Sequence, residues 1–440
     1  MIMLIIITCT LAFTSLGRVL LGRWYNHLTI YAGIWGMMLA LFELKFIHYY
    51  DLNVETWIVI IDGFLAFLFG VVTIVFARLA IGPKHIDRNR IVPARDPGDG
   101  IAFLRAALWI LNVVSFLAVL QHWYILLQTF GSAKNVILMG NLVRSFRASG
   151  QLTGELPYFD ALALAGTFFA GLYTSKVKKL SFIATAPILI VVFEAISGMG
   201  RATLLIAIIL FLSGYFLSSS RSRREAKSSF GKKLRISLVL AFGLAILLGS
   251  AELIRSSRGV IEHINGASTA LERLSNNSFI TPSIYLYLSG QPGVLNQYLK
   301  VGEEKGPWGG NTFAPIYRII AKFGFDTYVK EYQLNYFTPV RINTGTYLRE
   351  IHADFGIPGI LIVPYLMGFL TTYVWYRAED RNSYLARAIL AHLMVIVVMS
   401  FFIQATRLGY WLVSFVGAAC TGWILDRMRP GFRFVENRVH

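Results

Sequence analysis

Eleven predominantly apolar runs, most about twenty residues long, punctuate this chain, and in an apolar medium such a run satisfies its own backbone by closing into an α-helix. They cover 2–17, 27–47, 57–77, 103–129, 158–174, 180–197, 202–218, 235–251, 356–376, 385–404 and 408–426. Hydrophobic residues make up 55% of the chain and charged residues only 15%, against about a quarter charged in soluble domains. The fold class read from this is all-α: a polytopic integral membrane protein of about eleven transmembrane helices. The first run follows no basic stretch and precedes no small-residue cleavage site, so it is expected to be a retained first span rather than a signal peptide.

The formal net charge of +17 would point to nucleic acid in a soluble protein, but most of the basic residues fall in alternate short loops between the runs, and no nucleic-acid partner is expected. Those loops hold Arg18 and Arg23, the cluster from Arg78 to Arg105, Lys176 to Lys179, Arg221 to Arg235, and Arg377 to Arg387. Short loops rich in Lys and Arg stay in the cytoplasm. The N-terminus is then outside, and the 427–440 tail is inside. Residues 1–251 carry helices 1 to 8 and 356–426 carry helices 9 to 11. Two outer segments exceed what a connection needs. At 130–157, Lys134–Arg147 has the apolar residues and i,i+3 arginines of a helix lying in the interface. At 252–355, about a hundred residues interleave charge with aromatics, and a loop of that length is expected to form a helical subdomain on the outer face. Cys9 and Cys420 both fall in apolar runs, so neither a disulfide framework nor a thiolate metal site is expected.

The densest polar run, 341–359, leads straight into the ninth apolar segment. It holds Arg341, Asn343, Arg349, Glu350, His352 and Asp354. On a helix from Thr346 to Asp354, Glu350 and Asp354 stand at i,i+4 and Arg349 and His352 at i,i+3, neighbours on the helix surface. Ionisable groups at the edge of lipid are costly unless used. Elsewhere on the outer side arginine recurs at span ends: Arg201 in a Gly-rich turn with Glu194 one turn earlier, Arg255 and Arg258, Arg318, and Arg407 between the last two runs. A guanidinium binds phosphate through two parallel bonds and keeps its charge at any physiological pH, so these arginines point to a pyrophosphate at the membrane surface. The competing reading for each is snorkelling or pairing with a loop acid. HExxH, GxSxG, clustered His or Cys and a Walker loop are all missing, so no metal, cofactor or ATP is expected.

Three strings, SGMGRATLL (Ser197–Leu205), GNTFAPIYR (Gly310–Arg318) and NTGTYLREIHADFG (Asn343–Gly356), resemble the Wzy-type oligosaccharide repeat-unit polymerases, the O-antigen polymerases of bacterial surface polysaccharide pathways. The layout of many spans with one large outer loop near the C-terminus is also similar. Some members carry Arg-x10-Gly in this loop, and Arg255 to Gly266 fits it. The resemblance implies a GT-C-type glycosyltransferase of the bacterial inner membrane, active on its periplasmic side. Its partners would be donor and acceptor oligosaccharides linked to undecaprenyl pyrophosphate, the lipid bilayer and a polysaccharide chain-length regulator. Arg201, Arg255, Arg258, Arg318, Arg341, Arg349 and Asn343 are the candidates for holding the pyrophosphate. Asp354, Glu350 and His352 are the candidates for the base that takes the acceptor hydroxyl proton. Asp354 is preferred there as nearest the membrane, and His352 is its rival because the related ligases are thought to use an outer-loop histidine.

Two other readings stay open. An O-antigen ligase delivering glycan to lipid A core shares the architecture, although its His-Ser/Thr-x-x-Gly motif is missing here. A secondary transporter or lipid flippase would place charges near the midplane, where only Asp62 and Glu194 are found.

Overall fold

A computed structural model describes residues 1–81, 97–148, 159–198, 202–219, 266–271, 273, 282–302, 306–325, 329 and 333–428. Its described elements are almost wholly helical. They begin with α1 (Ile2–Leu21), α2 (His27–Glu43), α3 (Val54–Ala80), α4 (Pro97–Phe130), α5 (Ala133–Leu138), α6 (Gly140–Ala148), α7 (Leu162–Val177), α8 (Phe182–Gly198) and α9 (Ala202–Ser219). Three short helices of the outer loop follow, α10 (Pro282–Ser289), α11 (Gln291–Val301) and α12 (Ala314–Ala321), and then a two-stranded hairpin of β1 (Tyr336–Phe337) and β2 (Arg341–Ile342). The chain ends in α13 (Tyr347–Arg381), α14 (Tyr384–Met399) and α15 (Gly409–Met428). By length and composition α1, α3, α4 and α13 are long and apolar enough to cross a membrane. Ten of the eleven apolar runs coincide with helices, and 235–251 lies outside the described residues.

Two details differ from the pattern-based reading, and a third refines it. Lys134–Arg147 is not one helix but two, because α5 stops at Met139 (φ −98, ψ 29) and Gly140 opens α6. The helix read over Thr346–Asp354 and the ninth apolar run are two helical segments of α13 joined across a kink at Gly356, whose φ of 65 and ψ of −153 only glycine adopts readily. Pro358, two residues on, has no N–H to give the ladder. The tenth run ends early, since α14 stops at Met399 and 400–404 turns back on itself.

The chain divides into two compact units built from non-contiguous segments. The first comprises Met1–Pro83, Ile261–Tyr373 and Leu393–Gly409. Its helices approach at glycines. A Cβ at Gly70 of α3 would collide with the Tyr365 carbonyl of α13, and one at Gly368 of α13 with the Phe67 carbonyl of α3. Such reciprocal small-residue contacts let two backbones pack closely. Tyr31 of α2 stacks on Phe67 with 4.2 Å between ring centroids, and its hydroxyl meets that of Tyr347 at 2.9 Å. Trp35 donates to Ser400 Oγ at 3.0 Å, while Ser400 O accepts Tyr347 N–H at 2.9 Å, so the start of α13 is fixed from two sides.

At one end of this unit Phe42, Ile47, Tyr49, Leu271 and Tyr285 form a buried cluster. Asn296 Oδ1 accepts from Asn53 N–H at 2.9 Å and from Thr56 Oγ1 at 2.7 Å, pinning the start of α3 to α11. The Tyr49 hydroxyl bonds Ser289 Oγ at 2.8 Å, and burial pushes its pKa well above the ordinary value.

The second unit comprises Lys84–Val260, Val374–His392 and Tyr410–His440. Here α7 and α9 interlock, Gly171 against the Phe211 carbonyl and Gly214 against the Phe168 carbonyl. Asp426 caps α14 by accepting from Tyr384 N–H at 2.8 Å and Leu385 N–H at 3.0 Å, the placement a helix N-terminus favours for an anion.

Candidate functional site

Arg349, Glu350, His352 and Asp354 of the polar run open α13 in the first unit, and each meets a partner from elsewhere in that unit. Arg349 is fully buried. Its guanidinium lies 4.8 Å from the Tyr336 ring centroid and donates to the carbonyls of Asn343 (3.2 Å) and Leu334 (3.3 Å). It holds both ends of the β hairpin through main-chain acceptors. Gly345 makes room, since a Cβ there would stand 2.9 Å from Arg349 Cδ.

Glu350, also fully buried, faces the turn between α14 and α15. One carboxylate oxygen accepts from the Gln404 backbone N–H and the other from Gln333 Nε2, with Arg407 Nη1 3.6 Å away. A buried carboxylate needs such donors and a counter-charge to remain ionised. Arg407 in turn donates to Asn311 Oδ1, carrying the network to the loop before α12.

Asp354 closes the network. Its Oδ1 accepts from Asn311 N–H at 2.8 Å and Asn311 Nδ2 at 2.9 Å, and its Oδ2 from Thr312 N–H at 2.7 Å and Thr312 Oγ1 at 2.7 Å. Four donors occupy the lone-pair sites of a carboxylate. The loop presents them because Gly309, at φ 67, turns the chain so that Phe313 N–H closes onto Gly309 O at 2.8 Å. Asp354 is thus the anchor of the 309–313 loop.

His352 differs. It is half-buried, its ring meets Tyr298 edge-on at 5.6 Å, and its Nδ1 lies 2.9 Å from the Tyr298 hydroxyl. Its Nε2 takes no hydrogen bond among the described residues. With Nδ1–H donating to Tyr298, Nε2 carries the lone pair, the arrangement a general base requires.

Glu350, His352 and Asp354 therefore share one helical segment, as their spacing predicts, but their hydrogen-bond partners come from outside it. Arg341 is exposed on β2, Arg318 is half-buried on α12, and Asn343 is half-buried and offers its carbonyl to Arg349. Arg201, Arg255 and Arg258 lie outside the described residues, and with them any pairing of Arg201 with Glu194. Sequence reasoning missed Gln333, Gln404, Tyr298 and the pair Asn311–Thr312. Only the last lay within a string that drew attention. In the same unit, Asp62 lines an otherwise apolar groove of about 570 Å³ with Leu65, Phe69, Leu361 and Tyr365. No group of three or more His, Cys, Asp or Glu among the described residues is placed to hold a metal ion.

Chemically, the arrangement offers a half-exposed imidazole beside a rigid carboxylate and arginine framework, at the head of a helix that turns apolar past Gly356. No known protein family, curated protein or solved structure matches this chain.

Proposed function

We propose that this chain is a membrane-embedded glycosyltransferase that polymerises oligosaccharide repeat units carried on undecaprenyl pyrophosphate, on the outer face of the bacterial inner membrane. The observation that carries the reading is the contact of two strings forty-odd residues apart: Asn311 and Thr312 of GNTFAPIYR give all four donors to Asp354 of NTGTYLREIHADFG. Both strings underlie the resemblance to the repeat-unit polymerases, and they meet where α13 becomes apolar.

In the proposed reaction a hydroxyl of the acceptor sugar attacks the anomeric carbon of the growing glycan. The new C–O bond forms as the bond to pyrophosphate breaks. The electron pair leaves with undecaprenyl pyrophosphate, and His352 Nε2 takes the hydroxyl proton. His352 is favoured over Asp354 and Glu350 because their oxygens already hold the loop and the Arg407 turn. Arg341, exposed on the hairpin, is the residue we assign to the pyrophosphate, and Arg318 and the arginines at 201, 255 and 258 are its further candidates. Direct attack inverts the anomeric centre.

The test is a gel of glycan length after incubating the purified protein with its own lipid-linked repeat unit, without metal or nucleotide. A ladder is expected from the wild type. His352→Ala should slow it by about 10²–10⁴-fold, the worth of a general base, in a protein that remains folded. A folded protein that gives no ladder overturns the reading. Asp62 in its groove favours a second reading, ion-coupled transport, because an acid within an apolar helix is a functional candidate. Loss of uphill uptake in vesicles on Asp62→Asn would establish that one instead.

A further inference from the structure

The stretch from Trp308 to Phe323 presents an apolar face that no described residue of the first unit covers. Phe313, Ile316, Ile319 and Phe323 recur at helical spacing through α12 and are 40%, 47%, 51% and 77% exposed, while the opposite side of the helix buries Ala314 and Pro315. The only charges in 306–325 are Arg318 and Lys322, spaced i,i+4, and that segment holds no acid. Exposed apolar surface of this extent on a short helix marks a contact, and an apolar stripe on a segment that itself carries only cations, with Glu303, Glu304 and Asp326 beyond its two ends, fits an anionic bilayer surface.

The position fits as well. The Trp308 ring packs edge-on against Phe355 at 4.9 Å, one residue before the kink, and beyond the kink Ile357, Leu361 and Ile362 are exposed on α13. The stripe therefore starts at the level where α13 becomes apolar.

We infer that α12 and its flanks lie in the headgroup region of an anionic membrane, with Phe313, Ile316, Ile319 and Phe323 among the acyl chains and Arg318 and Lys322 at the phosphates. The inference requires a membrane-embedded chain but not the transfer reaction. It gives the 309–313 loop, and with it Asp354, a fixed depth relative to the bilayer.

Site-directed spin labelling tests it on the full chain in nanodiscs. Single cysteines replace Ile316, Ile319, Phe323 and, as a water-exposed control on α11, Lys300, in a Cys9→Ser/Cys420→Ser background. Each is kept only if its unfolding midpoint matches the parent. In phosphatidylglycerol discs the ratio of oxygen to nickel-chelate collisions should be severalfold higher at Ile316→Cys, Ile319→Cys and Phe323→Cys than at Lys300→Cys, and should fall in purely zwitterionic discs. Ratios equal to the control would place the stripe in water and overturn the inference. Immobilised labels shielded from both reagents would overturn it in favour of a protein cover. Insertion that ignores lipid charge would overturn the role given to Arg318 and Lys322.

Discussion

Glu350 and Arg407 face each other at 3.6 Å with side chains only 1% and 4% exposed, one at the head of α13 and the other in the 3₁₀ turn Ala405–Arg407. Taking both charges out of water costs several kcal/mol per ion, so the pair is a device of geometry more than of stability. Its consequence is that neither charge can be removed alone without penalty.

Replacing Arg407 by Gln leaves Glu350 buried without its cation, and a loss of about 3–5 kcal/mol is expected. Glu350→Gln strands Arg407 in the same way. The double variant Glu350→Gln/Arg407→Gln should recover part of the loss. Unfolding midpoints in detergent across the four proteins measure the coupling. Losses that simply add would dissolve the pair as an energetic unit.

Asp354→Asn keeps the shape of the side chain but turns an NH2 group toward donors that had a carboxylate oxygen. Removing a charged acceptor costs about 1.5–3 kcal/mol per bond, and each ~1.4 kcal/mol is tenfold in an opening equilibrium. Hydrogen exchange at the amides of Asn311 and Thr312 should accelerate by one to two orders of magnitude by that scale, while α7 amides stay unchanged. Unaltered exchange in the 309–313 loop would contradict the anchoring role.

Gly356 lies at φ 65 and ψ −153, a conformation that costs a residue with a side chain about 1–3 kcal/mol. Gly356→Ala should lower the unfolding midpoint accordingly. Gly33→Ala, in a helix interior with open space around it, should instead hold or raise the midpoint, since Ala exceeds Gly in helix propensity by about 1 kcal/mol. Equal responses at the two positions would remove strain as the explanation.

Burial raises the Tyr49 pKa above its ordinary 10.0, so its stabilising, protonated form is fully present below the unfolded value and is lost as pH rises toward the folded one. Stability should therefore fall as the medium passes about pH 10. Tyr49→Phe gives up the bond to Ser289, about 1 kcal/mol at neutral pH, but removes this part of the alkaline decline. Midpoints of both proteins at neutral and alkaline pH would show converging curves. Parallel curves would assign the decline to other groups.

Helix positions were legible because a twenty-residue apolar run has few alternatives, and ten such runs meet helices within a few residues. Helix on either side of Gly356 was legible from the polar run and the ninth apolar run, but the kink that joins them was not, since neither pattern reports backbone angles. The roles of the charged residues were not legible. Helical spacing sets Glu350 and Asp354 on one strip of surface but says nothing of their partners, Gln333, Asn311, Gln404 and Arg407, brought in by the hairpin, the loop and the turn. Lone polar residues such as Gln333 carry no spacing signal, so tertiary structure alone reveals them. The single helix expected over Lys134–Arg147 failed at Gly140 because periodicity registers apolar faces and not a glycine break.

Two of the four bonds to Asp354 come from main-chain N–H groups, at positions 311 and 312. Any residue other than proline supplies that donor. Over evolutionary time the side chains at 311 and 312 are therefore free to drift further than an inventory of their contacts implies, at the cost of one bond at Thr312 and of two at Asn311, whose Oδ1 also accepts from Arg407. An insertion or deletion between Gly309 and Phe313 would misplace both amides at once. In relatives of this chain the length of that turn should outlast the letters in it.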